Sequence, residues 1–130
     1  MRLEMNGNNR YLFLDSNIII YHLNGVELAT NFLRKYILDC FISRITFIEV
    51  LSFDFNEFER SSVIDLLNNF TIIDTSENIA LQCLKNREKK KIKLPDNIIA
   101  STAQVNDLIL VSRNIKDFKD LDIKLLDIFI

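Results

Sequence analysis

Four acidic residues of this chain stand where a carboxylate could do chemistry: Asp15, Glu49, Asp96 and Asp117. Asp15 ends the apolar run YLFL, and Glu49 lies within ITFIEVLSF, which predicts a helix that is apolar on nearly every face. Burying a carboxylate without a partner is costly. Glu49 in particular therefore indicates a carboxylate directed at a cation.

Each of these acids also has a purely structural explanation. Asp15 and Asp117 are residue types that cap helices or form turns. Asp96 follows Pro95 in the first turn of a predicted helix, where the helix dipole stabilises an acid. Glu49 could lie at the solvent-facing edge of its helix. No single acid therefore decides between a structural role and a site.

Taken together, the four acids suit a hard divalent cation such as Mg²⁺ or Mn²⁺, which takes carboxylate oxygens and keeps several waters. Such a cation supports phosphodiester hydrolysis by lowering the pKa of a bound water and neutralising the leaving oxygen. The chain lacks the residues that zinc sites, Ser-His-Asp triads and nucleotide-binding loops require. His22 is the only histidine, and two glycines cannot build the common phosphate-binding loops.

Short β-rich segments alternate with helical patterns along the chain, which predicts an α/β fold. The predicted strands are 11–14, 40–42, 71–73, 108–112 and 124–126. The predicted helices are 17–23, 26–38, 45–53, 57–68, 76–90, 95–105 and a short one near 115. Ser43 and Ser76 are expected to cap their helices, and Phe58, Ile64 and Leu67 are expected to face the core.

Strands separated by helices form a mostly parallel sheet with helices on both faces. Ligands of such sheets bind beyond the carboxyl ends of the strands. Asp15 follows the first predicted strand, and Ser112, Arg113 and Asn114 follow the fourth. We therefore expect a site at this edge of the sheet.

The composition is that of one globular domain, predicted to span residues 1–130. A net charge of −2 and a pI near 5.4 do not favour nucleic-acid binding over the whole surface. Cys40 and Cys83 are expected to be buried free thiols. The polar first ten residues predict no signal peptide, and no apolar run is long enough for a membrane span, so a cytoplasmic location is expected.

Four blocks of the sequence, FLDSNIIIYHL, ISRITFIEVL, LPDNIIASTAQ and VSRNIKDF, resemble in order and spacing those of PIN-domain ribonucleases. The resemblance is greatest to the VapC-like toxins of type II toxin–antitoxin pairs. It implies a three-layer α/β/α sandwich around a mostly parallel sheet of about five strands. It also implies RNA cleavage at an acidic quartet holding Mg²⁺ or Mn²⁺, a small antitoxin as partner, and a homodimer.

The resemblance also implies a role for each matched residue. Asp15 and Asp96 would bind the metal, Glu49 would bind the metal or its waters, and Asp117 would anchor a second ion or a bridging water. Three polar residues would orient these carboxylates by hydrogen bonds: Asn17, Ser112 and Asn114. Ser16 and Ser112 stand where the family commonly has Thr.

A basic run, KNREKKKIK, precedes Asp96. Cations at a helix end are also stabilised by the dipole, so the run could be only a solvated helix terminus. The functional alternative is a basic rim that guides RNA phosphate towards the acids. Its candidate RNA-binding residues are Arg87, Lys89, Lys90, Lys91 and Lys93.

Other functions fit the sequence less well. A housekeeping PIN nuclease would have the same residues as a toxin. A PIN scaffold that binds without cutting would be expected to have lost Asp15 or Asp96, and both are present. Dehalogenase-type phosphatases need an Asp where this chain has Asn17, and the acidic pair and late Lys of receiver domains are not evident.

Overall fold

The computed structural model describes residues 11–130; the polar first ten residues, and the predictions made for them, lie outside the described residues. The strands are β1 (Leu12–Leu14), β2 (Cys40–Ser43), β3 (Thr71–Ile73), β4 (Ile109–Val111) and β5 (Lys124–Leu126). The helices are α1 (Ser16–Leu23), α2 (Glu27–Tyr36), α3 (Arg44–Leu51), α4 (Glu57–Leu67), α5 (Glu77–Lys89), α6 (Leu94–Val105) and α7 (Ile115–Phe118). A 3₁₀ turn (Ile37–Asp39) follows α2.

The five strands form one sheet in the order β3-β2-β1-β4-β5, and every neighbouring pair is parallel. β1 is central, with Phe13 opposite Phe41 on one side and Leu110 on the other. From β1 the chain adds β2 and β3 on one side of the central strand, and it then adds β4 and β5 on the opposite side of β1. The β1–β4 boundary is therefore the switch point at which sheets of this kind bind ligands.

Both faces of the sheet are covered, as the alternation within β1 requires. Leu12 and Leu14 enter one buried cluster, whereas Phe13 enters the other. On the Phe13 side, α6 contributes Ala100 and Ala103, both fully buried. Helices on both faces give the predicted three-layer α/β/α sandwich, which is confirmed.

Side-chain caps fix where several helices begin. Ser43 Oγ accepts from the Ile45 N–H at 3.0 Å, and Ser76 Oγ accepts from the Ile79 N–H at 3.2 Å. Both predicted caps are confirmed. Cys40 and Cys83 are buried and free, also as predicted, and burial raises the pKa of the Cys40 thiol to about 12.

Some local predictions were wrong. The helix expected over 26–38 ends at Tyr36 and passes into the 3₁₀ turn. Phe58 is 82% exposed instead of facing the core, where Val63 and Leu67 are buried. At about 100° per residue, Phe58 lies roughly opposite Leu67 around α4. Within residues 11–130, no helix has the length and apolar character needed to cross a membrane.

Candidate active site

Asp15 lies at the switch point, directly after β1. Its N–H donates to the Val111 carbonyl at 2.9 Å, which extends the β1–β4 ladder by one step. Its Oδ1 accepts from the Ser16 N–H at 2.7 Å, so Asp15 caps α1. Its Oδ2 accepts from the Ser112 hydroxyl at 2.7 Å. Asp15 thus both begins the helix and presents a carboxylate at the sheet edge.

Asp15 is only 6% exposed. Burial raises the pKa of Asp15 from 3.8 to about 6, more than the hydrogen bonds from Ser112 and Ser16 lower it. The charges of Asp96 and Glu49 make smaller contributions to this raised value. A buried acid with acidic neighbours is typical of functional sites.

Ser112 and Asn114 connect β4 to two of the acids. Ser112 is fully buried, donates to Asp15, and accepts from the Asn114 N–H at 2.9 Å. The Asn114 side-chain amide then donates to Asp117 Oδ2 at 2.5 Å. The loop after β4 therefore holds Asp15 and Asp117 through one short chain of hydrogen bonds.

Asn17 lies beside this chain but is held loosely. Its Nδ2 is 3.4 Å from both Asp15 Oδ2 and Ser112 Oγ, at the long limit for a hydrogen bond. Its Oδ1 is buried and has no hydrogen-bond partner among the residues that the structure describes. A buried acceptor without a partner is uncommon and fits a site meant for a further group.

Glu49 is half-buried on α3, and the Ser16 hydroxyl lies beside it. The Ser16 hydroxyl donates to Glu49 Oε1 at 2.6 Å and lies 3.1 Å from Thr46 Oγ1. Sequence reasoning did not place Ser16 or Thr46 among the site residues. Thr46 could have been found, since residues three apart share a helix face.

Asp96 is half-buried in the first turn of α6. Burial raises its pKa most, and the charges of Asp117 and Glu49 add to the effect, whereas Lys93 lowers it. Asp96 is thus linked by charge to all three other acids, since it also acts on Asp15. The four predicted acids belong to one electrostatic neighbourhood.

Whether the site suits a cation depends on its donors. Within residues 11–130, no three His, Cys, Asp or Glu side chains are close enough to form a ready-made cage. The donors are nevertheless all hard oxygens, their charges oppose one another, and the Asn17 acceptor is unpaired. This set fits a cation that binds few carboxylates directly and keeps its waters.

The residues of the basic run point in different directions. Arg87, Lys91 and Lys93 line a common groove of about 500 Å³ together with Ile92, Leu94 and Asn97. Lys90 instead donates to the Lys116 carbonyl at 3.0 Å and lies 3.7 Å from Asp120. Lys89 is exposed at the end of α5 and does not line the groove.

We predict that Ser112→Ala raises the pKa of Asp15 further, because the Ser112 hydrogen bond lowers it. The loss of a buried hydrogen bond should also reduce the free energy of unfolding by about 1–2 kcal/mol. Titration of the Asp15 carboxyl by NMR measures the first effect and denaturant unfolding the second. Ser112→Thr keeps the hydroxyl and serves as the control; an unchanged Asp15 titration in Ser112→Ala would contradict the prediction.

Comparison with known proteins agrees with this architecture. The model of the PIN domain family matches residues 12–124. The chain therefore belongs to the PIN domain family. None of the curated proteins matches it in sequence.

Among solved structures, the fold is similar to a toxin–antitoxin complex from Klebsiella pneumoniae, with a TM-score of 0.80 and 34% identity over 91% of this chain and 97% of that one. It is also similar to FitAcB from Neisseria gonorrhoeae (TM-score 0.79, 22% identity, 91% and 98% covered). DNA-bound VapBC from Salmonella typhimurium has a TM-score of 0.78 and 19% identity, with 91% and 98% covered. In fold, the chain is therefore similar to chains of toxin–antitoxin and VapBC complexes.

Proposed function

We propose that this protein is a Mg²⁺- or Mn²⁺-dependent endoribonuclease that acts as the toxin of a toxin–antitoxin pair. The observation that carries the proposal is the state of Asp15 at the switch point of a PIN fold: burial raises its pKa most, and the charges of Asp96 and Glu49 raise it as well. A fold keeps such repulsion when a cation offsets it in the working state.

The neutral groups around the acids support this role. Ser16 and Ser112 hold Asp15, Ser16 also holds Glu49, and Asn114 holds Asp117. These donors orient the carboxylates without neutralising them, and Asp15 stays negative above about pH 6. Oriented, charged oxygens of this kind are what second-shell hydrogen bonds provide at metal sites.

Asp15 and Asp96 would bind the ion, with Glu49 binding it or its waters and Asp117 anchoring a second ion or a bridging water. The ion, when bound, supplies an activated water and offsets charge on the phosphodiester. Burial of Asp15 and Ser112 keeps bulk water away from the inner side of the site. Asp96, on the more exposed side and near Lys93, faces the side from which RNA would approach.

A structural relative supports an antitoxin partner. The Klebsiella pneumoniae relative is a toxin–antitoxin complex, which supports a small antitoxin as partner of this chain. A ribonuclease toxin of this kind acts on cellular RNA, so we expect it in the cytoplasm. A homodimer is expected from the family resemblance. Co-purification with the product of a short neighbouring reading frame would separate a toxin from a housekeeping nuclease.

Cleavage of labelled RNA by the purified protein tests the function. We expect cutting with Mg²⁺ or Mn²⁺, none in EDTA, and at least a roughly 100-fold loss in Asp96→Asn, because removing a metal carboxylate removes stabilisation of charge in the transition state. Asp54→Asn, an exposed acid in the loop before α4, is the matched control and should cut normally. Full activity in Asp96→Asn would contradict the site assignment.

A further inference from the structure

The groove beside Asp96 combines three cations with apolar side chains. Arg87, Lys91 and Lys93 line it, and Ile92 and Leu94 are its apolar members. Leu94 is 67% exposed although it is a large apolar residue. At about 500 Å³ the groove lies within the usual size of small-ligand sites, roughly 300–1,000 Å³.

Only some of the basic residues line the groove. Lys90, in the middle of the run, instead donates to the Lys116 carbonyl and pairs with Asp120. Lys85 and Lys89 are exposed on α5 but do not line the groove. A merely solvated helix end gives no reason for three cations to share one concave surface with an exposed leucine.

The groove is next to Asp96, one of the four acids. Leu94 and Asn97 line it and flank Pro95 and Asp96 in the sequence. The charge of Lys93 reaches Asp96, whose pKa it lowers. An anionic chain bound at Asp96 through a cation would therefore have this groove beside it.

We propose that this groove binds a nucleotide of single-stranded RNA next to the one that is cut, with the phosphate held by Arg87, Lys91 and Lys93 and the base lying against Leu94. The choice of RNA as occupant rests on the proposed function. A guanidinium and an apolar surface both accept the face of a base. An acidic peptide would match the cations but not the apolar members.

The groove holds a nucleotide without reading its sequence. Asn97 is its only side-chain amide, and both ends of that amide are engaged within the protein. Asn97 Nδ2 donates to the Cys83 carbonyl at 2.9 Å, and Oδ1 accepts from Asn86 at 3.1 Å and Ser101 at 3.2 Å. Lysine and arginine at phosphate fix position and carry no sequence information.

The test measures binding of fluorescent eight-residue oligo(U) and oligo(A) to the full chain by anisotropy, in EDTA and over a range of KCl. The groove variant is Arg87→Ala, Lys91→Ala and Lys93→Ala combined. The matched control is Lys35→Ala, Lys85→Ala and Lys119→Ala, which removes the same charge from exposed positions. Circular dichroism checks that both triple variants are folded.

We expect the groove variant to bind both oligomers at least roughly 10-fold more weakly at low salt. Its plot of log K against log salt should be shallower by about 0.7, since the groove holds one phosphate and each single-strand phosphate contact contributes about 0.7. The control should change the slope much less. Equal losses in both variants would overturn the proposal, as would a loss confined to one oligomer.

Two further outcomes keep this inference apart from the proposed function. Wild-type protein that binds through the groove but never cuts RNA would leave the subsite standing while the nuclease proposal fails. If the wild-type protein cuts RNA but the groove variant binds RNA normally, the nuclease proposal stands and the subsite proposal fails. If an octa-glutamate peptide, and not RNA, loses binding in the groove variant, the groove belongs to an acidic protein segment and the proposal fails.

Discussion

Asp15→Asn is expected to abolish RNA cleavage while making the metal-free protein more stable at neutral pH. The activity loss follows from removing the most buried carboxylate of the site, and we expect a roughly 100-fold or greater fall in kcat. The fold should survive, because Asn is as good a helix cap as Asp and can still accept from the Ser16 N–H.

The stability gain has a definite sign. The pKa of Asp15 is about 6 in the folded protein, above its ordinary 3.8, so the folded state holds this proton more tightly than the unfolded state. The stability from that proton is complete below pH 3.8 and is lost as the pH rises through 6. At pH 8 the ionised carboxylate therefore costs on the order of 2–3 kcal/mol, which Asn does not incur.

Denaturant unfolding in EDTA at pH 4 and pH 8 measures the effect. Asp15→Asn should exceed wild type in free energy of unfolding at pH 8, and the difference should shrink towards pH 4. Asp54→Asn, an exposed acid, should show no such pH-dependent gain. A destabilised Asp15→Asn at pH 8 would show that the carboxylate is structural, and cleavage by that variant would remove Asp15 from the site.

The sheet and the acids at its edge were accessible from sequence because their signals are local. A short apolar run followed by Asp15 marks a strand end, and Ser112 after β4 marks another. The Ser112 hydroxyl meets the Asp15 carboxyl only because β1 pairs with β4, and these strands lie nearly a hundred residues apart in the sequence. The rule for parallel sheets predicts the shared edge but not the contact.

Other features depend on tertiary packing and were missed. Phe58 looked like a core residue because it is aromatic, yet α4 buries the face carrying Val63 and Leu67. Lys90 looked equivalent to its basic neighbours, but the position of α7 gives it a carbonyl and Asp120 as partners. Residue type alone predicts neither the exposure of Phe58 nor the partners of Lys90, because both depend on which element packs against the helix.

Asn86, which lies in the basic run but is uncharged, is the clearest case. It is 1% exposed on α5, and its Nδ2 lies within hydrogen-bond distance of three acceptors on α6. These are Asn97 Oδ1 at 3.1 Å, Ser101 Oγ at 3.0 Å and Gln104 Oε1 at 2.8 Å. Because an amide has two hydrogens, it satisfies two of them at a time. This network joins α5 to α6, and one of its members, Asn97, directly follows Asp96 in the sequence.

We expect Asn86→Ala to lower the free energy of unfolding by about 2–4 kcal/mol, since it leaves buried acceptors without donors and opens a small cavity. The melting temperature should fall by roughly 10 °C. Asn69→Ala is the matched control, because the Asn69 amide is exposed and makes one hydrogen bond, to the Asp65 carbonyl at 3.0 Å. It should cost well under about 1 kcal/mol.

Activity measured well below the melting temperature shows whether the network also positions Asp96. If it does, folded Asn86→Ala should lose kcat for RNA while its KM changes little, because the groove cations are intact. A purely structural network would leave kcat unchanged in the folded fraction. Equal destabilisation by Asn86→Ala and Asn69→Ala would instead mean that the buried amide contributes no more than a surface one, and that apolar packing alone joins α5 to α6.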